Sequence, residues 1–431
     1  MKKRLGCAFL TMLNMLLWLS GCINVYDYVD TDLSAEPPAV QASEAVQESS
    51  SSRVNGVWIA TVYGIDYPSA SGLSADELRL QADAIVEDAV SCGITDLFLQ
   101  VRGCSDAIYP SALFPSSSSI VSKQGDPLPM DVLDYFVRIA HAQGLRIHAW
   151  INPYRITSPS EKEEVGWGLD RLAETNSARQ HEEYVVKHQY QDGDKTMYAM
   201  YYDPGLTQTQ DLIVAGAEEL LKNYELDGLH IDDYFYPYQD AQHFADDASY
   251  AANGNGMDRD DWRRSNVDRL VERLGRVAHE HGAVFGVSPS GIWAKQSDQT
   301  PQGTPGLGNT LQSYYDVYAD SLKWVQNHWV DYICPQIYWQ TDHPSAPFRT
   351  IADWWNEVCL EAGVDLYVGI AAYRGSESAT AFADPDEIAR QLAYLNDKQA
   401  CRGVVYYSYR SLKNNLANVR QSMSVFQITE S

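Results

Sequence analysis

Short apolar runs rich in Val, Ile, Tyr and Phe alternate along this chain with longer stretches in which apolar residues recur every three or four positions. The short runs predict strands over 54–62, 95–102, 145–155, 227–236, 283–291, 330–339, 364–373 and 402–409. The longer stretches predict helices over 74–92, 131–143, 207–224, 260–281, 313–328, 348–362 and 385–399. Ser74 with Glu77 three residues on is a capping-box signature, and Gly93, Gly144, Gly282 and Gly363 stand where a helix stops before the next strand. Eight strands, the first seven each followed by a helix, make the pattern of a (β/α)8 TIM barrel over 53–431. A doubly wound open sheet shares the alternation, but no Gly-rich dinucleotide fingerprint opens any helix here. The connections after strands two and three, 103–130 and 156–206, are long enough to wall a cleft. The second carries MYAMYYDP (197–204), an aromatic-rich segment that either lines the cleft or packs on the barrel.

The first 52 residues break this pattern. Lys2, Lys3 and Arg4 precede an apolar run over 5–19, short for a membrane span, and 1–21 reads as a lipoprotein signal. The run ends in Leu19-Ser20-Gly21-Cys22, which resembles the bacterial lipobox, where cleavage precedes the Cys and lipid is attached to its sulfur. Residues 22–52, rich in Ser, Ala, Glu, Gln and Pro, predict a flexible tether with no core of its own. The expected location is therefore outside the cytoplasm, lipid-anchored to the bacterial cell membrane or outer membrane.

Net charge is −26, which argues against nucleic acid and anionic polymers as partners and leaves neutral or weakly charged glycans open. Setting aside Cys7 and Cys22, five cysteines remain (Cys92, Cys104, Cys334, Cys359, Cys401). An odd set without CxxC spacing points to buried thiols rather than a disulfide framework or zinc site.

Barrel enzymes keep their chemistry at the C-terminal ends of the strands. The fourth strand runs into DGLHIDDYFYP (227–237), so two carboxylates, Asp232 and Asp233, stand there with Tyr234 behind them. Paired carboxylates among rings suit glycoside hydrolysis; a helix N-cap plus a surface Asp is the plainer alternative. The other strand ends bring Gln100 and Arg102, Asn152, Tyr154 and Arg155, His230, Gln336, Tyr338 and Trp339, Tyr373 and Tyr406. Donors and acceptors serve sugar hydroxyls, and Trp and Tyr rings stack on pyranose faces. Polar residues also gather at ordinary strand-to-loop transitions, so the weight lies in the pattern recurring around the barrel.

The segments VNGVWIATVYGIDYP, TDLFLQVRGCSDAIYPSALFP, LRIHAWINPYRI, DGLHIDDYFYP and ICPQIYWQ, in this order, resemble the glycosyl-hydrolase-like family 10 of bacterial envelope lipoproteins. The likeness runs from about Gly56 to about Ser411. It implies a TIM barrel, a lipoprotein anchor and cleavage of glycan, on cell-wall strands. DGLHID is also similar to the fourth-strand signature of alpha-amylase-type barrels, which implies a nucleophile role for Asp232 and a supporting one for His230. That second likeness stops there. VFGVSPSG has no carboxylate where such enzymes keep their acid Glu, and the fourth-strand Asn-Glu pair of other barrel glycosidases is missing.

The acid must then be sought elsewhere. Neighbouring residues on a strand face opposite ways, so Asp232 and Asp233 share the mouth only if the strand has already turned. Asp106, just past the second strand, is the first choice, Asp233 the second and Asp342 the third; a turn-forming role for Asp106 is equally open. His148 and His230, one per strand without HxH or HExxH spacing, favour core hydrogen bonding over a metal. The resulting expectation is a membrane-anchored glycoside hydrolase with a carboxylate mechanism, no cofactor and no metal. Two rivals stay open: a non-catalytic glycan-binding lipoprotein on a degenerate barrel, and a metal-dependent barrel hydrolase using His230 and Asp232.

Overall fold

The computed structural model describes residues 53–426 apart from Ala379; the expected signal, tether and Cys22 lie outside these residues. Eight parallel strands close into a barrel: β1 (Val54–Ile59), β2 (Asp96–Arg102), β3 (Arg146–Ile151), β4 (Gly228–Ile231), β5 (Val284–Val287), β6 (Tyr332–Ile333), β7 (Asp365–Ile370) and β8 (Cys401–Tyr406). Each strand pairs with its sequence neighbours, and β1 pairs with β8 to complete the ring. Helices α1 (Ala75–Ser91), α2 (Val132–Ala142), α3 (Thr207–Asn223), α4 (Arg259–Glu280), α5 (Ser321–Gln326), α6 (Phe348–Ala362) and α7 (Glu387–Leu395) follow the first seven strands. Two short pieces, Tyr409–Lys413 and Val419–Met423, follow the eighth. The expected (β/α)8 barrel is the fold. Among the described residues no helix is long and apolar enough to cross a membrane.

Local sequence explains most boundaries. Both halves of the Ser74–Glu77 capping box form at the start of α1. Gly363 closes α6 in the left-handed conformation, φ 70°, which an L side chain adopts only at a cost. The predicted helix over 313–328 is broken in two. Tyr318 takes a positive φ of 57°, and Asp320 caps α5 by accepting the Lys323 amide, so the run stops and restarts. The loop after β3 holds an antiparallel hairpin, Val185–Asp192 with Lys195–Tyr202. Its alternation of polar and apolar residues across Gly193 is a hairpin signal that the sequence reading passed over. Ala199, Met200, Tyr201 and Tyr202 of that hairpin are buried in the main core, and Met197 is buried as well.

The core has two layers. Alternate apolar residues on each strand, such as Leu97, Leu99 and Val101 on β2, face the helices, while Trp58, Phe98, Trp150, Tyr332 and Val405 fill the barrel. Large interior rings fit because glycines face them. A Cβ on Gly286 would lie 2.0 Å from the Tyr332 ring, and one on Gly228 would lie 2.2 Å from Nδ1 of His148. On the barrel floor Asp96 accepts from Arg146 at 2.8 Å and bonds Nε2 of His148 at 2.8 Å. Burial opposes its charge, yet those bonds win and hold it near 2. His148 is thus a floor residue, far down the strand from the mouth. Of the thiols, Cys334, Cys359 and Cys401 are buried and Cys92 and Cys104 half-buried, all unpaired.

Candidate active site

Strand parity decides what reaches the mouth. On β2 the interior series passes through Phe98 to Gln100; on β3 through His148 and Trp150 to Asn152; on β4 through His230 to Asp232. These ends form a relay. Oε1 of Gln100 accepts from the backbone amides of Thr61 and Val62, both at 2.9 Å. With its oxygen so occupied, the Gln100 amide nitrogen donates to Oδ1 of Asn152. The Asn152 nitrogen must then face Asp232, to which it donates. The donors thereby fix both amide orientations. Nε1 of Trp150 adds a bond to the same carboxylate oxygen at 3.0 Å, and the Tyr234 amide bonds the other at 3.3 Å. Burial pushes Asp232 up to about 6, against the pull of Arg155 and the Trp150 bond.

Asp233 sits beside it. β4 ends at Ile231, so the chain has already turned at the two aspartates and both side chains are buried, each 3 % exposed. Asp233 accepts from the Tyr238 hydroxyl and from Gln336, whose nitrogen also reaches the Ser288 carbonyl at 2.8 Å. Burial first, and the neighbouring Asp232 charge second, push Asp233 well above the usual carboxylate range. Two carboxyls with unequal pulls make one proton holder and one anion. Arg155, fixed by its Nε bond to the Gly103 carbonyl at 2.8 Å and lying 4.9 Å over the Tyr234 ring, draws both downward.

Asp106 is also buried, but its partners are local. It accepts from Gln124 at 3.1 Å and from Ser117 and the Ser118 amide, all within the loop after β2. Burial raises it, and Arg155 counters that. Asp342, the third choice for the acid, is exposed and pairs with Arg349 at 3.7 Å. His230 is held well below its ordinary range by burial and by His148. Trp58 donates to its Nε2 at 3.2 Å, so the neutral ring carries its proton on Nδ1, facing the Tyr332 hydroxyl at 3.0 Å. It supports the barrel interior under Asp232 without bonding it. Among the described residues no cluster of three or more His, Cys, Asp or Glu is arranged to hold a metal.

The structure brings Gln100, Asn152, Arg155, Asp232, Asp233, Tyr234 and Gln336 together. Tyr338 and Tyr373 form a half-buried aromatic wall with Tyr407, at centroid distances of 5.9–6.3 Å. Three expected site residues lie elsewhere. A register shift between Gln100 and Arg102 turns Arg102 outward, under α3 and 4.3 Å over the Phe114 ring. Tyr154 comes after β3 has left the ladder and is buried in the helix-facing core. Tyr406 faces outward by parity, so its neighbour Tyr407, which the sequence reading left out, takes the interior place. Trp339 is half-buried against the main core, with Gly291 facing its ring. Trp58 and Tyr238 were not singled out either; no local pattern marks them.

The relay carries a prediction. Asn152 donates to the charged form of Asp232, so Asn152→Ala should raise the Asp232 pKa and move the acid limb of the kcat/KM profile up by about one pH unit. A limb that stays in place while activity falls would instead mean that Asn152 acts on the sugar.

A (β/α)8 barrel whose mouth joins two unequal buried carboxyls, oriented amides and tyrosine rings has the composition of a glycoside hydrolase site. The chain belongs to the glycosyl hydrolase-like 10 family, whose model matches residues 53–385. It is 35% identical over 377 residues to glycosyl hydrolase YngK of Bacillus subtilis (strain 168), spanning 86% of this chain and 71% of that protein. It is 31% identical over 380 residues to glycosyl hydrolase DigH of Escherichia coli (strain K12), spanning 84% of each. The glycoside hydrolase domain of PgaB (BpsB) from Bordetella bronchiseptica shares the fold, with a TM-score of 0.50 at 11% identity over 88% of this chain and 99% of that domain. The protein is a glycoside hydrolase.

Proposed function

We propose that the protein cleaves the glycan strands of peptidoglycan, with Asp233 as general acid and Asp232 as the anion that faces the anomeric carbon. The observation that carries the mechanism is the turn after Ile231, which buries both carboxyls side by side so that they do not readily ionise together, while the donors from Trp150, Asn152 and the Tyr234 amide favour the anion at Asp232. Asp233 gives its proton to the glycosidic oxygen as the bond from that oxygen to the anomeric carbon breaks. The Asp232 carboxylate stabilises the positive charge that develops on the sugar. Water then adds to the anomeric carbon and returns a proton to Asp233. Gln336 and Tyr238 orient Asp233; Gln100 and Asn152 orient Asp232.

The cell-wall substrate is supported by the family resemblance and by the lipobox-like LSGC ending at Cys22. Digestion of purified cell-wall glycan, with and without stem peptides, tests it: release of soluble saccharides by the wild type is expected, and none from either form would remove the assignment. The anchor has its own test. Cys22→Ser should release the protein from membranes or leave it unprocessed; unchanged processing and attachment would refute lipid at that sulfur.

A further inference from the structure

The turn between β1 and α1 carries a ring that the mechanism does not use. Tyr63 is 64 % exposed and sits at φ 56°, ψ 13°, a left-handed conformation that is uncommon and costly for a bulky side chain. Single exposed aromatics need no explanation in themselves. This one is held in place. The amides of Gly64 and Ile65 bond back to the carbonyls of Thr61 and Val62, at 3.1 and 3.2 Å. Asp66 accepts the Ala60 amide at 2.8 Å, and Gln100 takes the amides of Thr61 and Val62. The same Gln100 side chain therefore fixes both this turn and, through Asn152, the Asp232 carboxylate.

The hydroxyl end of the exposed ring rests on protein. Its hydroxyl donates to the Pro159 carbonyl at 3.4 Å and meets the Ser158 side chain. Surrounding protein raises the phenol above its ordinary range, with Arg155 pulling against it. Gln100, bonded to the Val62 amide on one side and reaching Asp232 through Asn152 on the other, sets this turn at the barrel mouth near the catalytic carboxylates. Among the described residues no other aromatic ring stacks on Tyr63, and most of its surface is exposed.

We propose that Tyr63 is the stacking platform of an outer subsite, taking an uncharged pyranose face of the glycan strand one or more sugars away from the cleaved bond. A pre-fixed ring loses little freedom on binding, and sugar stacking is sequence-tolerant along a repeating polymer. The subsite would make the enzyme favour long strands over short fragments. Only the identity of the strand rests on the peptidoglycan reading.

The test compares peptide-free cell-wall glycan strands with their tetrasaccharide fragments. Tyr63→Ala should lower kcat/KM on long strands about tenfold, through KM, and leave tetrasaccharide turnover within about twofold of wild type. Tyr63→Phe keeps the ring, loses the Pro159 bond and should behave as wild type on both. Equal loss on both lengths in Tyr63→Ala would overturn the platform and make Tyr63 a support for the Gln100 relay; no loss on either would overturn it as well. A wild type that cleaves neither length overturns the substrate assignment and the sugar class named here together, whereas cleavage without a length-dependent loss overturns the platform alone.

Discussion

Replacing Asp232 by Asn should lower kcat by about a thousandfold or more while the protein stays folded. The amide keeps the shape of the side chain and removes the charge that faces the developing oxocarbenium ion; a thousandfold corresponds to about 4 kcal/mol, the upper end of such preorganised electrostatic contributions. The effect on stability follows from the same burial. A carboxyl raised from 3.8 to about 6 in the fold binds its proton more tightly folded than unfolded. Its favourable contribution is present below about 4 and is lost as pH rises through about 6, leaving a cost on the order of 3 kcal/mol at neutral pH. The Asp232→Asn substitution removes that cost but turns an NH2 toward one of the donors from Trp150, Asn152 and Tyr234. The two effects offset, so the melting temperature at pH 7.5 should stay within a few degrees of wild type. Thermal unfolding beside turnover on glycan checks both halves. Wild-type turnover in this variant would remove Asp232 from the chemistry, and a collapsed melting temperature would make it a structural group.

How far the chain itself announced this site depends on the kind of information each residue carries. The barrel was legible because eight apolar runs and their helices are long-range periodic signals that survive local error. Gln100, Asn152 and Asp232 were legible because each continues the interior parity of a regular strand. Arg102 was not, since one irregularity in the β2 ladder reverses which face a residue takes, and nothing in LFLQVR marks it. Tyr406 and Tyr407 show the same sensitivity: neighbours of equal chemistry, one in the helix-facing core and one at the mouth. Strand ends were the weakest point. The apolar run through DGLHIDDYFY predicts a strand to Tyr236, but pairing stops at Ile231, and the pairing of two carboxyls depends on that early stop. Partners distant in sequence, such as Tyr238 and Gln336 around Asp233, have no local signature at all.

Asp233→Asn should be nearly as damaging as Asp232→Asn on natural glycan, by about a hundredfold to ten-thousandfold, and should recover most of its activity on aryl glycosides with good leaving groups. A leaving group that needs no proton does not need the acid, whereas the anion at Asp232 is needed for both substrates; rescue therefore separates the two roles. The pH profile gives a second reading. Wild-type kcat/KM should rise as Asp232 ionises near 6 and fall where Asp233 gives up its proton, well above the usual carboxylate range. In Asp233→Asn the alkaline limb should vanish on aryl glycosides, because no acid is left to titrate. Asp106 is the control that makes this decisive. Its bonds to Gln124, Ser117 and Ser118 hold the loop after β2, so Asp106→Asn should lower activity and melting temperature together without leaving-group rescue. If rescue and loss of the alkaline limb instead follow Asp106→Asn, the acid is Asp106, and Asp233 is a buried partner whose proton keeps two neighbouring charges from forming at once.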